Sequence, residues 1–178
     1  MATTNLTVDY IAPSGGGYEP QRRNQYYIQF ILNDSGDEKL LKLSTIGAFI
    51  PEMTNDEVEF PGKNTSVYVA GRATYSEGTV RVRDFIDTDT AGVVYRWKKK
   101  VYNPFNDKIG LASDYKVTAY IYMLSPNDDD NFKRTWRLEG CWPKTVTAGD
   151  LDNTSNDQVE LEITIRYDKA FPTFAYQQ

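Results

Sequence analysis

Histidine is absent from the 178 residues, and cysteine occurs once, at Cys141. Without an imidazole there is no Ser-His-Asp or Cys-His nucleophilic site. With a single thiol there is neither an intramolecular disulfide nor a set of structural zinc ligands. Long apolar runs are missing too, since none approaches the roughly 20 residues that a membrane-spanning helix needs. The first ten residues hold neither a basic nor an apolar stretch, so they do not read as a secretion signal, and the expectation is a protein made in a cytoplasm. Positive charge is in short supply: 20 Lys and Arg stand against 25 Asp and Glu, a formal net charge of -5. That balance disfavours a protein built to grip phosphates, though not one that lets a polyanion pass.

Other chemistry fails on spacing. Gly62-Lys63 is followed by Asn64 and has Glu57 where a phosphate-binding loop needs its first glycine. Asp150 and Asp152 are spaced as in a calcium loop, but Ser155 replaces its glycine and Leu161 its bidentate glutamate. Asp128, Asp129 and Asp130 are adjacent and read as a solvated turn. Glu160 and Glu162 project from one strand face roughly 6–7 Å apart, a spacing glycosidases use, yet two acids on one strand do not straddle a bond from opposite sides. No catalytic, cofactor-binding or metal-ligating residues are expected, and no cofactor.

What the chain does contain is strand. Its length suits one domain over residues 1–178, able to bury roughly 70% of its unfolded surface. The organising stretch is 133–168. On a regular strand Trp136, Leu138 and Trp142 point one way, opposite Arg137, Glu139 and Cys141. Further on, Val159, Leu161, Ile163, Ile165 and Tyr167 form a period-two apolar stripe opposed by Glu160, Glu162, Thr164 and Arg166. One face of each is expected in the core, and Cys141 is expected to be an inert thiol.

Around this pair, residues 1–24 or so, with Gly15-Gly16-Gly17, read as a flexible arm, and about 169–178 as a short tail containing Phe174 and Tyr176. Residues 25–32 are a strand, Asn33 to Asp37 a turn, and 39–46 a returning strand, a hairpin. Residues 47–61 read as loop with a short strand, 66–72 and 79–86 as strands joined at Ser76-Glu77-Gly78, and 114–124 as a central strand. The periodicity turns helical over about 89–102: Asp87 to Asp89 offer caps, Val93, Val94, Trp97 and Val101 share a face, and Lys98, Lys99 and Lys100 suit the C-terminal end of the dipole. One helix among many strands predicts a mainly β, antiparallel fold.

Residues 80–87 (Val-Arg-Val-Arg-Asp-Phe-Ile-Asp), the Trp97 helix ending at Tyr102-Asn103-Pro104, the Lys108-Ile109-Gly110 turn and the run Trp136-Arg137-Leu138-Glu139-Gly140-Cys141-Trp142-Pro143 together resemble the tail tube proteins of contractile-tailed bacteriophages. Cys141 stands where a small residue is expected, and the likeness covers about 78–168. It implies a two-sheet antiparallel β-sandwich or barrel-like tail tube fold with one flanking helix. It also implies homo-hexameric rings stacked into a hollow tube, a surrounding tail sheath protein, a baseplate or tube initiator, and a tape measure protein and phage DNA in the lumen, within a virion tail assembled in the host cytoplasm. Glu160, Glu162 and Arg166 then become a lumen or assembly surface, over a core of Trp97, Trp136, Leu138, Trp142, Leu161, Ile163 and Ile165. The tube of an injection or secretion machine is the near alternative. A monomeric carbohydrate-binding sandwich is the distant one, and it would require Trp136 or Trp142 to be exposed.

Overall fold

The computed structural model describes residues 21–125, 128–149, 154 and 156–173. The glycine-rich arm before Gln21, Asp150, Asp152 and Ser155 of the calcium-like loop, and Phe174 and Tyr176 lie outside the described residues. The chain is mainly β. Strands β1 (Tyr26–Phe30), β8 (Val117–Ser125), β9 (Asp128–Ala148), β10 (Glu160–Arg166), β5 (Gly78–Arg83) and β2 (Thr45–Gly47) follow one another across one antiparallel sheet. A further strand, β11 (Lys169–Pro172), pairs with β9, so the start of the expected tail is part of the sheet.

The 21-residue β9 belongs to two halves of this sheet. Its first part pairs with β8 and β11, its last part with β10. The change falls at Gly140, whose φ of 68° is open to glycine and costly to other residues. Ala119 pairs with Leu138 but Val117 with Cys141, so β9 spends one extra residue there, a bulge. The bulge reverses the alternation. Trp136 and Leu138 are buried, and so are Cys141 and Pro143, whereas Trp142 turns to the other face and is half-buried, edge-on to Tyr115 at 6.0 Å. This corrects the placing of Trp142 in the core and of Cys141 opposite it.

Strand β10 buries Leu161, Ile163 and Ile165, followed by Tyr167; Leu161 and Ile163 lie across from Val82 and Val80 of β5. Val159, counted into that stripe above, precedes the strand and is 42% exposed. The remaining core comes from Ile28, Phe30, Ala119 and Ile121 and from two helices.

Helix α2 (Thr90–Val101) forms where the periodicity indicates, with the Asp89 carboxylate accepting from Gly92 N at 2.7 Å. It buries Val93, Val94 and Trp97; the Trp97 indole donates to Tyr115 O at 2.8 Å. Helix α1 (Ser35–Ser44) occupies the place of the expected returning strand. Asp34 caps it by accepting from Gly36 N at 2.8 Å, Asp37 and Glu38 sit in its first turn, and Leu41 and Ser44 are buried three residues apart. That spacing is helical, and an Asp37–Arg96 ion pair of 2.9 Å ties α1 to α2. A single turn, α3 (Ala112–Tyr115), delays the start of β8.

Candidate assembly surface

The remaining strands do not join the main sheet. β3 (Met53–Pro61) and β4 (Ser66–Tyr75) pair only with each other, around a loop closed by Gly62 N donating to Thr65 O at 2.7 Å. The short strand expected within a loop over 47–61 is the nine-residue β3, and the strands joined at Ser76-Glu77-Gly78 take other partners, β4 pairing with β3 and β5 with β10. The register places Val58 opposite Val69 and Phe60 opposite Val67, on one face; Glu57 opposite Ala70 and Glu59 opposite Tyr68 form the other. The hairpin is therefore amphipathic, as a strand pair lying on a core would be. Yet every residue of β3 is exposed, Phe60 at 58%, and Val67 of β4 is 64% exposed. A two-stranded hairpin is marginal by itself in water. Covering the exposed parts of those four side chains is worth about 1 kcal/mol each.

The root of the hairpin is held firmly. Arg166 Nη1 donates to Tyr75 O at 2.8 Å, Ser76 N donates to Glu52 O at 3.2 Å, and the Tyr167 ring lies 5.7 Å from Phe49 and 6.0 Å from Tyr75. Burial pushes the Tyr167 phenol above its ordinary pKa, so it stays neutral there. A cavity of about 210 Å³ opens beside this root, lined by Glu52, Met53, Tyr75, Trp136 and Phe171 among others. The hairpin thus projects from a fixed base, with its apolar face uncovered by the described residues.

The residues singled out from sequence fall in three places. Glu160 and Glu162 are exposed on the outer face of β10, where their cross-strand neighbours are Arg83 and Arg81 of β5, and Glu160 lies 3.6 Å from Arg81. That face is charge-mixed rather than simply acidic. Arg166, on the same strand, is turned into the hairpin root. Trp97, Trp136, Leu138, Leu161, Ile163 and Ile165 are buried. Burial also pushes the Cys141 thiol up to about 12, so it is no nucleophile near neutrality. Among the described residues no group of three or more His, Cys, Asp or Glu could hold a metal ion. With Trp136 covered and Trp142 against Tyr115, no open tryptophan platform for a glycan exists. The hairpin itself escaped sequence reading, although alternation of Val58 and Phe60 with Val67 and Val69 about Gly62-Lys63-Asn64 was a usable signal.

The T4-like virus tail tube protein gp19 family matches the chain over residues 22–170. No curated protein matches it. Among solved structures, the chain is similar to one in the tube-terminating cap of the anti-feeding prophage, with 16% identity, 97% of this chain and 98% of that one covered, and a TM-score of 0.69. It is similar to one in the sheath/tube terminator of the PVC extracellular contractile injection system, with 16% identity, 86% and 96% covered, and a TM-score of 0.67. A chain of the PVC sheath-tube complex in its extended state gives 18% identity, 97% of both chains covered and a TM-score of 0.62. At these identities the likeness is one of fold.

Proposed function

The chain belongs to the T4-like virus tail tube protein gp19 family, and from that membership we propose that it is the inner tube subunit of a phage tail, closing into hexameric rings that stack into a conduit for DNA. It is a structural tube protein, not an enzyme. In this reading a sheath protein surrounds the tube, a baseplate or tube initiator starts it, a tape measure protein and then phage DNA occupy the bore, and the tail is assembled in the host cytoplasm.

The observation that carries the reading is the β3–β4 hairpin, a rigidly rooted strand pair whose apolar face (Val58, Phe60, Val67, Val69) has nothing to lie on among the described residues. Such a face is a liability in a monomer and an adhesive surface in an assembly. The edge of β1, which among the described residues pairs only with β8, is a second place where a neighbour's strand could continue the sheet. The outer face of β10, with Glu160 and Glu162, is assigned to the bore, and Arg166 to the root of the hairpin.

Negative-stain imaging of the purified protein over a concentration series is the test. Rings or tubes are expected, and a protein that stays monomeric at high concentration, with or without a tail-assembly initiator, refutes the reading. Replacing both Glu160 and Glu162 with lysine should leave tubes intact while slowing or blocking DNA passage. Unchanged infectivity would remove the bore assignment.

A further inference from the structure

The cavity of about 210 Å³ beside the hairpin root has two walls. Pro51, Glu52, Met53 and Tyr75 form one, at the root itself; Trp136 of β9 and residues 170–172 of β11 form the other. Glu52 is the one charged residue of this lining. Met53 is 60% exposed and Phe171 36%, so both walls present apolar surface that the described residues leave uncovered. The space suits an aromatic ring, since an apolar cavity of about 150 Å³ takes up benzene. Phe105, in the turn between the two-residue strands β6 (Tyr102–Asn103) and β7 (Lys108–Ile109), is more exposed still, but nothing in the structure shows what covers it.

For the cavity, the chain itself supplies an occupant. Strand β11 ends on the cavity wall, with Pro172 paired to Trp136. The next residue, Thr173, is pinned there by its hydroxyl, which donates to Thr135 O at 2.7 Å, and at this residue the backbone leaves the extended conformation instead of running on along β9. Phe174-Ala175-Tyr176-Gln177-Gln178 follows, outside the described residues, with two aromatic rings and no charged side chain. Consecutive Cα atoms are about 3.8 Å apart, so the Cα of Phe174 is within about 8 Å of that of Pro172. We infer that Phe174 turns back at Thr173 and fills this cavity, resting against Trp136 and the hairpin root. A ring arriving on a separate molecule gives up translational freedom to bind, whereas the tether at Thr173 already holds Phe174 beside the opening. With the ring in place, one side chain touches β9, β11 and both strand ends at the root, Met53 of β3 and Tyr75 of β4. The tail then latches the hairpin to the main sheet.

Phe174→Ala tests the latch in protein diluted until sedimentation shows a monomer, so the result does not depend on the tube reading. The cavity is open on one side, and the expected loss in Tm is about half that for a fully buried ring, about 3–10 °C. Gln178→Ala, beyond both rings, should melt with the parent. Benzene is the second probe: it should raise the Tm of Phe174→Ala, whose cavity is vacated, and leave the parent, whose cavity is full, unchanged. The amide of Ser76, which donates to Glu52 O at the root, should exchange with deuterium faster in Phe174→Ala than in the parent. An unchanged Tm in Phe174→Ala, or equal benzene responses in parent and variant, overturns the inference. A loss of stability seen only above the concentration at which copies associate overturns it too, and gives the cavity to residues of a neighbouring copy.

Discussion

Gly140→Ala tests whether the bulge in β9 sets the fold. Placing alanine at a φ of 68° costs about 1–2 kcal/mol, because the side chain meets the backbone in the left-handed region. Its Cβ would also come within 2.7 Å of Asp168 Cγ, with a carboxylate oxygen closer still. The backbone has little room to yield, since Asp168 N donates to Glu139 O at 2.9 Å. The carboxylate can swing away only by leaving Lys116 Nζ, now 2.7 Å distant, a half-exposed pair worth up to about 1 kcal/mol. The sum is about 1–3 kcal/mol. For a chain of this size that lowers Tm by about 2–12 °C. Asp168→Ala in the same chain removes the collision but not the backbone cost, so the double variant should be more stable than the two single losses added, by about 1 kcal/mol. Gly149→Ala is the control: its Cβ meets nothing nearer than Glu160 O at 4.0 Å, and it should stay within about 0.5 kcal/mol of the parent. Urea and thermal melts of the four variants suffice. If Gly140→Ala melts like Gly149→Ala, the account of the bulge is refuted.

Phe60→Glu with Val67→Lys, an opposite-charge pair across the ladder, should leave monomer stability within about 0.5 kcal/mol, because both side chains are more than half exposed, while abolishing assembly in light scattering; a variant that still assembles would remove the hairpin from the interface. The fold favours the neutral Cys141 thiol by raising its pKa from 9.0 to about 12, so this stability is present below pH 9 and is lost as pH rises toward 12, by at most about 4 kcal/mol. Cys141→Ala should therefore flatten the alkaline slope in denaturant melts between pH 8 and 11, and an unchanged slope would contradict the burial argument. Asp89→Ala removes the α2 cap and should cost about 1 kcal/mol, with faster amide exchange at Gly92 and Val93 than in the parent; equal exchange would show the cap to be idle.

Where structure follows from neighbours along the chain, it was legible in the sequence. The Asp89 cap, the Val93–Trp97 face and the lysines at the far end mark α2 almost to the residue, and Leu161, Ile163 and Ile165 declare their buried side by simple alternation. The run from Trp136 to Pro143 carried the family resemblance. The missing histidine and the single cysteine already set aside triad-type and structural zinc sites.

What only the tertiary structure decided was pairing and facing. Residues 39–46 alternate well enough for a strand, but Leu41 and Ser44 find burial as a helix against β1 and α2. Strands 66–75 and 78–83 are adjacent in sequence, yet each has another partner, β3 and β10, and register between strands depends on contacts that no local pattern records. One left-handed glycine sent Trp142 outward and Cys141 inward, since a period-two count holds only until a residue is inserted. Arg166 shares a strand with Glu160 and Glu162, but the nearness of Tyr75 O takes it to the hairpin root. An amphipathic pattern states that a face needs covering; what supplies the cover is settled by three-dimensional packing, and for the hairpin none of the described residues does.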